Sequence, residues 1–256
     1  MRTNVMLHEM YDAHHDVAEP RNLARAPREW EAATPIKVGQ PGSVSTIAAN
    51  DQLSGLTAGE IFESFLAVIA IVIALPVMLL VGLIVVLQDA GRPIFVQQRI
   101  GRGGIPFPCL KFRTMVVDSQ AQLERLLASD PEAAHEWATD QKLRNDPRIT
   151  LIGAWLRKSS LDELPQLFNI AAGQMSFVGP RPIVDSEVSR YGRYFQHYIS
   201  VRPGLTGLWQ VSGRSDLTYR RRVVIDTVYV RTRSLALDLM IVLRTIPAML
   251  TRRGSV

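Results

Sequence analysis

The sequence predicts a helix-rich α+β domain attached to one membrane-inserted helical segment near its N-terminus. Two observations carry this reading: an uncharged run of 23 residues from Phe65 to Leu87, and a pair of short strand-like runs around the glycine cluster Gly101-Arg102-Gly103-Gly104. The composition sets the outer bounds. At 256 residues, 47% hydrophobic and 21% charged, the chain suits one domain with an appendage and fits neither a disordered protein nor a many-pass transporter. Its single cysteine, Cys109, excludes an intramolecular disulfide framework and a Cys-only metal cluster.

The chain divides into three parts. Residues 1–60 scatter Pro20, Pro27, Pro35 and Pro41 among small and polar residues and show no sustained apolar period, which predicts a flexible extension. They lack the basic, apolar and small-residue order of a cleavable signal. His8, Glu9, His14 and His15 lack the His-Glu-x-x-His spacing of a metal site and read as a solvated tail. Residues 61–90 form the membrane segment, because 23 apolar residues exceed the roughly 20 that cross a bilayer core as a helix. Pro76, near its centre, predicts a kinked span or a return to the same face. The flanks favour a span: Arg92, Arg99 and Arg102 follow the segment, while no Lys or Arg lies between Val38 and Gly91.

Residues 91–256 form the third part, a domain expected on the cytoplasmic side. Phe95–Ile100 and Ile105–Phe112 read as strands joined by the glycine cluster, which lacks the spacing of a phosphate-binding loop. Residues 116–143 suit a polar-faced helical stretch interrupted near Pro131. Leu235–Leu250 is too interrupted by Asp238, Arg244 and Pro247 for a second span and reads as a core or interfacial helix.

Charge is distributed unevenly. Residues 1–60 carry five Lys/Arg against eight Asp/Glu, whereas residues 61–256 carry 24 against 16, so the basic excess lies in the second part. An anionic partner follows, whether nucleic acid, lipid head groups or a phosphorylated small molecule. Nucleic acid is the poorest of these, because the Arg-rich motifs lack regular aromatic interleaving and accompany a membrane segment.

The most informative stretch is Ser159-Ser160-Leu161-Asp162-Glu163-Leu164-Pro165. Ser160 can cap a helix whose third residue is Glu163, which would make the acidic pair a structural capping box. The same helix start can also hold anionic oxygens and keep a carboxylate ionised, with neighbouring carboxylates about 100° apart around the axis. A helix from Glu163 to about Ala172, ended at Gly173 and followed by a return strand over Gln174–Val178, would bring Arg181 beside Asp162. In an extended segment Lys111 and Arg113 share a face. Arg202 joins the basic inventory, and Arg220, Arg221 and Arg222 read as a solvated or membrane-contacting face. Cations, a metal-binding carboxylate and an anionic nucleophile are the parts needed for phosphoryl transfer. A serine hydrolase fits worse: His197 could serve Ser159, but no Gly-x-Ser-x-Gly elbow is present. Cys109 reads as packed.

From about Phe62 to Leu250 the chain resembles the bacterial sugar transferases, or monotopic phosphoglycosyl transferases. The resemblance rests on GRPIFVQQRIGRGGIPFPCLKFRTM, DPRITLIGAWLRKSSLDELPQLFNIAAGQMSFVGPRP and VRPGLTGLWQVSGRSDLTY, in that order. It implies transfer of a sugar 1-phosphate from a nucleotide sugar to undecaprenyl phosphate with release of the nucleoside monophosphate, which initiates surface glycan assembly. It further implies Asp162 as nucleophile, Glu163 as the Mg²⁺ ligand, and Lys111, Arg113, Arg181 and Arg202 as substrate-binding cations. The membrane segment would be a re-entrant helix hairpin, placing the domain on the cytoplasmic face of the inner membrane. The C-terminal motifs look like the hexose branch of exopolysaccharide initiation, with UDP-galactose or UDP-glucose as donor and membrane lipid as a further partner; homo-oligomerisation is left open. Two departures stand out: Glu60 and Glu63 occupy a region where family members often carry a basic residue, and Gly173-Gln174-Met175 replaces a frequent Gly-Asp-Met. The alternative from a different class is a non-catalytic membrane scaffold for a polysaccharide assembly complex.

Overall fold

The structure, a computed structural model, describes residues 57–140, 143, 145–213 and 217–250. The expected flexible extension, with its His8, Glu9, His14 and His15, lies outside the described residues apart from its last four. The membrane segment is one continuous helix α1, Ala58–Asp89, with Pro76 inside it, where the expected hairpin would need two helices turned back on each other. Thr57 caps it through a capping box: its hydroxyl accepts from the Glu60 amide, and the Glu60 carboxylate accepts from the Thr57 amide at 2.9 Å. Thirty-two residues make a helix about 48 Å long, more than a bilayer core requires.

Helix α1 is apolar all round in sequence, yet it uses its faces differently. Ala67, Ala70, Ile71, Ala74, Met78, Val81 and Val85 pack against the rest of the domain, a stripe with the three-and-four spacing of one helix face. The stripe runs through Pro76 without changing phase. Small residues dominate its first half and let Ile170, Met175 and Phe107 approach closely; Phe112 and Leu156 meet the second half. The other faces leave Phe65, Val72, Ile73, Leu79, Leu80 and Leu83 exposed.

Strands β1 (Ile94–Ile100) and β2 (Pro106–Phe112) form an antiparallel hairpin in register from Ile94↔Phe112 to Ile100↔Pro106. The glycine cluster makes the turn, as expected, with Gly103 and Gly104 at φ of 71° and 77°. Cys109, on β2, is packed at 1% exposure. Helices α2 (Ser119–Ser129) and α3 (Pro131–Asp140) fill the stretch expected to break at Pro131, and Leu123, Ala133 and Leu143 give them a small core of their own.

Helix α4 (Leu151–Ser159) carries the chain to the acidic pair and departs from expectation there. Ser160 does not cap an α-helix with Glu163 as its third residue. It ends α4 in the left-handed region at φ 57°, its side chain caps nothing, and Leu161–Glu163 form one 3₁₀ turn before α5 (Gln166–Ala171). Pro165 explains the interruption: a helix begun at Leu161, as a Ser160 cap would start it, needs an amide hydrogen at 165 for the Leu161 carbonyl, and proline has none. The structural capping box at Ser160 is therefore overturned, and the Glu163 carboxylate is free for other partners. Gly153 lets α4 lie against the end of the hairpin: a Cβ there would come within 2.0 Å of the Thr114 carbonyl oxygen.

After α5 the chain returns as β3 (Ser176–Val178), which pairs in parallel with β4 (Gly204–Thr206). Between these strands lie α6 (Val188–Tyr191) and α7 (Phe195–Ile199); after them come α8 (Leu208–Ser212), α9 (Tyr219–Thr232) and α10 (Leu235–Leu250). Helix α10 matches the expectation of a core or interfacial helix: Ile241 is fully buried against Val178, Leu208 and Tyr229, while Leu235, Leu239, Leu243 and Ile246 are exposed.

Two glycines allow the strand pair to carry the Gly-Pro-Arg-Pro turn. The Gly204 amide donates to the Pro180 carbonyl at 2.8 Å and the Gly179 amide to the Thr206 carbonyl at 2.9 Å. A Cβ on Gly204 would lie 2.1 Å from the Gly179 nitrogen, a backbone atom with nowhere to go. Gly204→Ala should therefore lower stability by about 2 to 4 kcal/mol, measured by chemical or thermal denaturation of detergent-solubilised protein.

Candidate active site

The acidic pair, the hairpin and the Gly-Pro-Arg-Pro turn meet at one cavity of ≈ 800 Å³. Asp162 and Glu163 line it from the 3₁₀ turn, Lys111 and Arg113 from the end of the hairpin, and Arg181 from the turn after β3. Five of the six residues singled out in the sequence thus share one wall system. Arg202 does not line the cavity; its buried guanidinium pairs with Glu63 and lies 3.5 Å from Glu60, at the start of α1.

Glu163 is the hub. Its Oε1 receives the Lys111 ammonium at 2.7 Å and the Arg181 guanidinium at 3.2 Å. Burial pushes its carboxyl up, but the two cations outweigh that and hold it at about 2, so Glu163 is ionised. Asp162 moves the other way. It is 9% exposed, and burial, reinforced by the Glu163 charge, pushes its pKa up to about 6 against the pull of Lys111, Arg157 and Arg181. Adjacent carboxylates therefore differ in their grip: one is pinned by cations, the other is less tightly held and raised in basicity.

Each cation is positioned by a separate device. Lys111 sits on β2, whose register is fixed by seven pairs to β1. Arg181 follows Pro180 and precedes Pro182, and the Pro182 carbonyl accepts from Arg99 at 3.0 Å. One residue further on, the Tyr198 hydroxyl accepts from the Ile183 amide at 3.1 Å and donates to the Ile100 carbonyl at 2.6 Å, closing the turn onto β1. Arg113 is held by the Asp89 carboxylate, with one contact at 2.8 Å, so the same side chain faces the cavity and ties down the end of α1.

The structure adds residues that the motif reading passed over. Arg157, on the last turn of α4, lines the cavity, donates to the Thr114 hydroxyl at 2.9 Å and brings its charge to bear on Asp162. The signal was its place five residues before Asp162 in Arg157-Lys158-Ser159-Ser160-Leu161-Asp162. Arg222, read as part of a solvated face, lines the cavity with its guanidinium 4.8 Å above the Trp209 ring; its neighbours Arg220 and Arg221 are exposed. Ser159 and His197 are not brought to the cavity, and the Ser159 hydroxyl donates to carbonyls of its own helix.

Among the described residues no group of three or more His, Cys, Asp or Glu side chains is gathered as a metal cage. The site instead presents two adjacent carboxylates beside a cation-lined space. That donor set suits Mg²⁺, which is commonly held by one or two carboxylates and completes its shell with water and substrate phosphates.

Two adjacent carboxylates in unlike environments and six Lys or Arg side chains, Arg99 and Arg222 among them, line one cavity, a lining that suits a phosphorylated ligand. Residues 56–252 match the bacterial sugar transferase family, and the chain belongs to it. It is 52% identical over 187 residues to a Haemophilus influenzae protein named "Uncharacterized sugar transferase", covering 73% of this chain and 40% of that one. It is 48% identical over 194 residues to the exopolysaccharide production protein ExoY of Sinorhizobium fredii, covering 76% of this chain and 86% of that one. Identity to the undecaprenyl-phosphate galactose phosphotransferase of Salmonella typhimurium is also 48% over 194 residues, where the match spans 40% of the longer relative.

The raised Asp162 pKa has a thermodynamic consequence. The ordinary value is 3.8, so ionising Asp162 begins to cost folding free energy as pH rises past that point, and the cost is complete above about 6. Two units correspond to about 3 kcal/mol as an upper figure. Asp162→Asn removes the penalty and should melt hotter than the wild type near neutral or mildly alkaline pH, with the advantage gone below about pH 4; thermal denaturation across pH measures it.

Proposed function

We propose that this chain transfers hexose 1-phosphate from a UDP-sugar to undecaprenyl phosphate, releasing UMP and initiating exopolysaccharide synthesis. As a bacterial sugar transferase it is an enzyme of the phosphoglycosyl transferase class. The observation that carries the particular reaction is the unequal carboxylate pair at a cavity lined by Lys111, Arg113, Arg157 and Arg181.

In the first step an Asp162 carboxylate oxygen attacks the phosphorus that bears the sugar. A phosphorus–oxygen bond forms, the bond to the bridging oxygen breaks, and UMP leaves with the electron pair. In the second step an oxygen of the lipid phosphate attacks the same phosphorus and the bond to Asp162 breaks, which restores the carboxylate and yields the lipid diphosphate sugar. Lys111, Arg157 and Arg181 offset the charge of the donor diphosphate, which otherwise repels both nucleophiles. A relay through Asp162 separates two mutually repulsive anions in time. Glu163, anchored by Lys111 and Arg181, would hold Mg²⁺, which supplies neutralisation of the diphosphate when bound. UDP-galactose or UDP-glucose is the preferred donor; galactose is the sugar in the name of the Salmonella relative. A pure scaffold has no use for this cavity.

The domain would sit on the cytoplasmic face of the inner membrane, with α1 inserted from that side only. Both ends of α1 are tied to the same domain: Glu60 reaches Arg102 at 2.6 Å, Glu63 pairs with Arg202, and Asp89 pairs with Arg113. A helix that crossed the bilayer would carry Glu60 and Glu63 away from these arginines. The acidic residues that depart from the family habit thus have partners, which supports insertion from one side against the span that the flanking charges favour.

Asp162→Asn should reduce UMP release and lipid-product formation by at least about a thousandfold in protein that remains folded; turnover near the wild-type rate would remove the nucleophile. Cysteines introduced at Thr57 and at exposed Arg220 should both react with a membrane-impermeant thiol reagent only from the cytoplasmic side; labelling of Thr57→Cys from outside would indicate a span.

A further inference from the structure

The cavity lining is chemically mixed. Its lining includes Lys111, Arg113, Arg157, Arg181 and the carboxylate pair, and also Phe177 and Leu205 from the β3–β4 region, Trp209 on α8, and Val242 and Ile246 on α10. The Thr206 and Thr245 hydroxyls, also in the lining, satisfy each other: Thr245 donates to the Ile241 carbonyl at 2.8 Å and stands 2.8 Å from Thr206, which it leaves as the donor between them. A sugar or a uracil ring needs polar partners; Phe177, Leu205, Val242 and Ile246 supply none, whereas Gln210 and Arg222, stacked on Trp209, line the same cavity.

The apolar wall also reaches the outside. Val242 is 39% and Ile246 58% exposed, and both belong to the helix that leaves Leu235, Leu239 and Leu243 uncovered. One helix therefore lines the cavity and presents apolar surface to the surroundings of the protein. We propose that the Phe177, Leu205, Trp209, Val242 and Ile246 wall receives the first isoprene units of the lipid acceptor, which slides along α10 with its phosphate leading toward Asp162. The proposal rests on the reaction assigned above and says where its lipid substrate enters. The charge pattern selects this occupant: among the reactants only the acceptor couples a phosphate to a hydrocarbon chain without a polar group between them.

The test uses Val242→Ser with Ile246→Ser in the full chain, with Leu243→Ser as control, because Leu243 is equally exposed but does not line the cavity. The double variant should raise KM for undecaprenyl phosphate about tenfold, the scale of lost apolar contact in a substrate pocket, with KM for the UDP-sugar within about twofold of wild type. Leu243→Ser should leave both constants unchanged. A diazirine-bearing polyprenyl monophosphate in nanodiscs should label α10 near Val242 and Ile246 in wild-type protein, a readout independent of turnover. An unchanged acceptor KM with labelling elsewhere overturns the proposal, as does an equal rise in both KM values, which would assign the wall to the donor. Wild-type protein that binds the lipid probe here yet releases no UMP from any UDP-sugar would overturn the reaction while leaving the lipid site standing.

Discussion

One carboxylate, Glu163, holds three remote pieces of chain together. Lys111 approaches it across 52 residues of sequence, and Arg181 arrives from the other side of α5 and β3. A buried ion cluster of this kind is poor currency for stability, because desolvating its members offsets most of their attraction. Its value lies in position. It fixes the hairpin end, the 3₁₀ turn and the Gly-Pro-Arg-Pro turn relative to one another, and so fixes where Asp162 stands. The surrounding devices serve the same placement: the glycine crossing between β3 and β4, the Tyr198 hydroxyl bridging Ile100 and Ile183, and the left-handed Ser160 that turns the chain out of α4.

That arrangement divides labour between neighbours of nearly identical chemistry. Two carboxylates in sequence would ordinarily titrate alike, but the cations bind one and leave burial to dominate the other. The pinned group can serve as a fixed charge, and the raised group is more basic than a free aspartate. Environments that push paired groups apart are a general means of assigning separate roles.

The same logic extends to the membrane helix. Arg113 faces the cavity and pairs with Asp89, so the end of α1 and the edge of the site are coupled through one side chain. At the other end Arg202, which sequence resemblance placed with the substrate-binding cations, is committed to Glu63 and Glu60. Its motif neighbours explain why the sequence pointed to it: Pro203 and Gly204 do belong to the strand crossing that carries Arg181, but the side chain at 202 is directed to the helix.

Much of the molecule was legible from residue order, because the informative patterns are local. A 23-residue uncharged run, period-two strands about a glycine turn, a break at Pro131 and the punctuated apolar pattern of Leu235–Leu250 each act over a few turns of chain. The pairing of Asp162 with Glu163 was likewise visible, since adjacency needs no fold. Tertiary structure decided what depends on distance through space. It turned the apparent capping box into an ion triad, because cations from β2 and the turn after β3 compete for Glu163. It brought Arg157 and Arg222 to the cavity and withheld Arg202, and it chose a single packed face on a helix whose composition marks none. Charge pairing and packing across tens of residues fix these outcomes, and neither leaves a periodic trace in the chain.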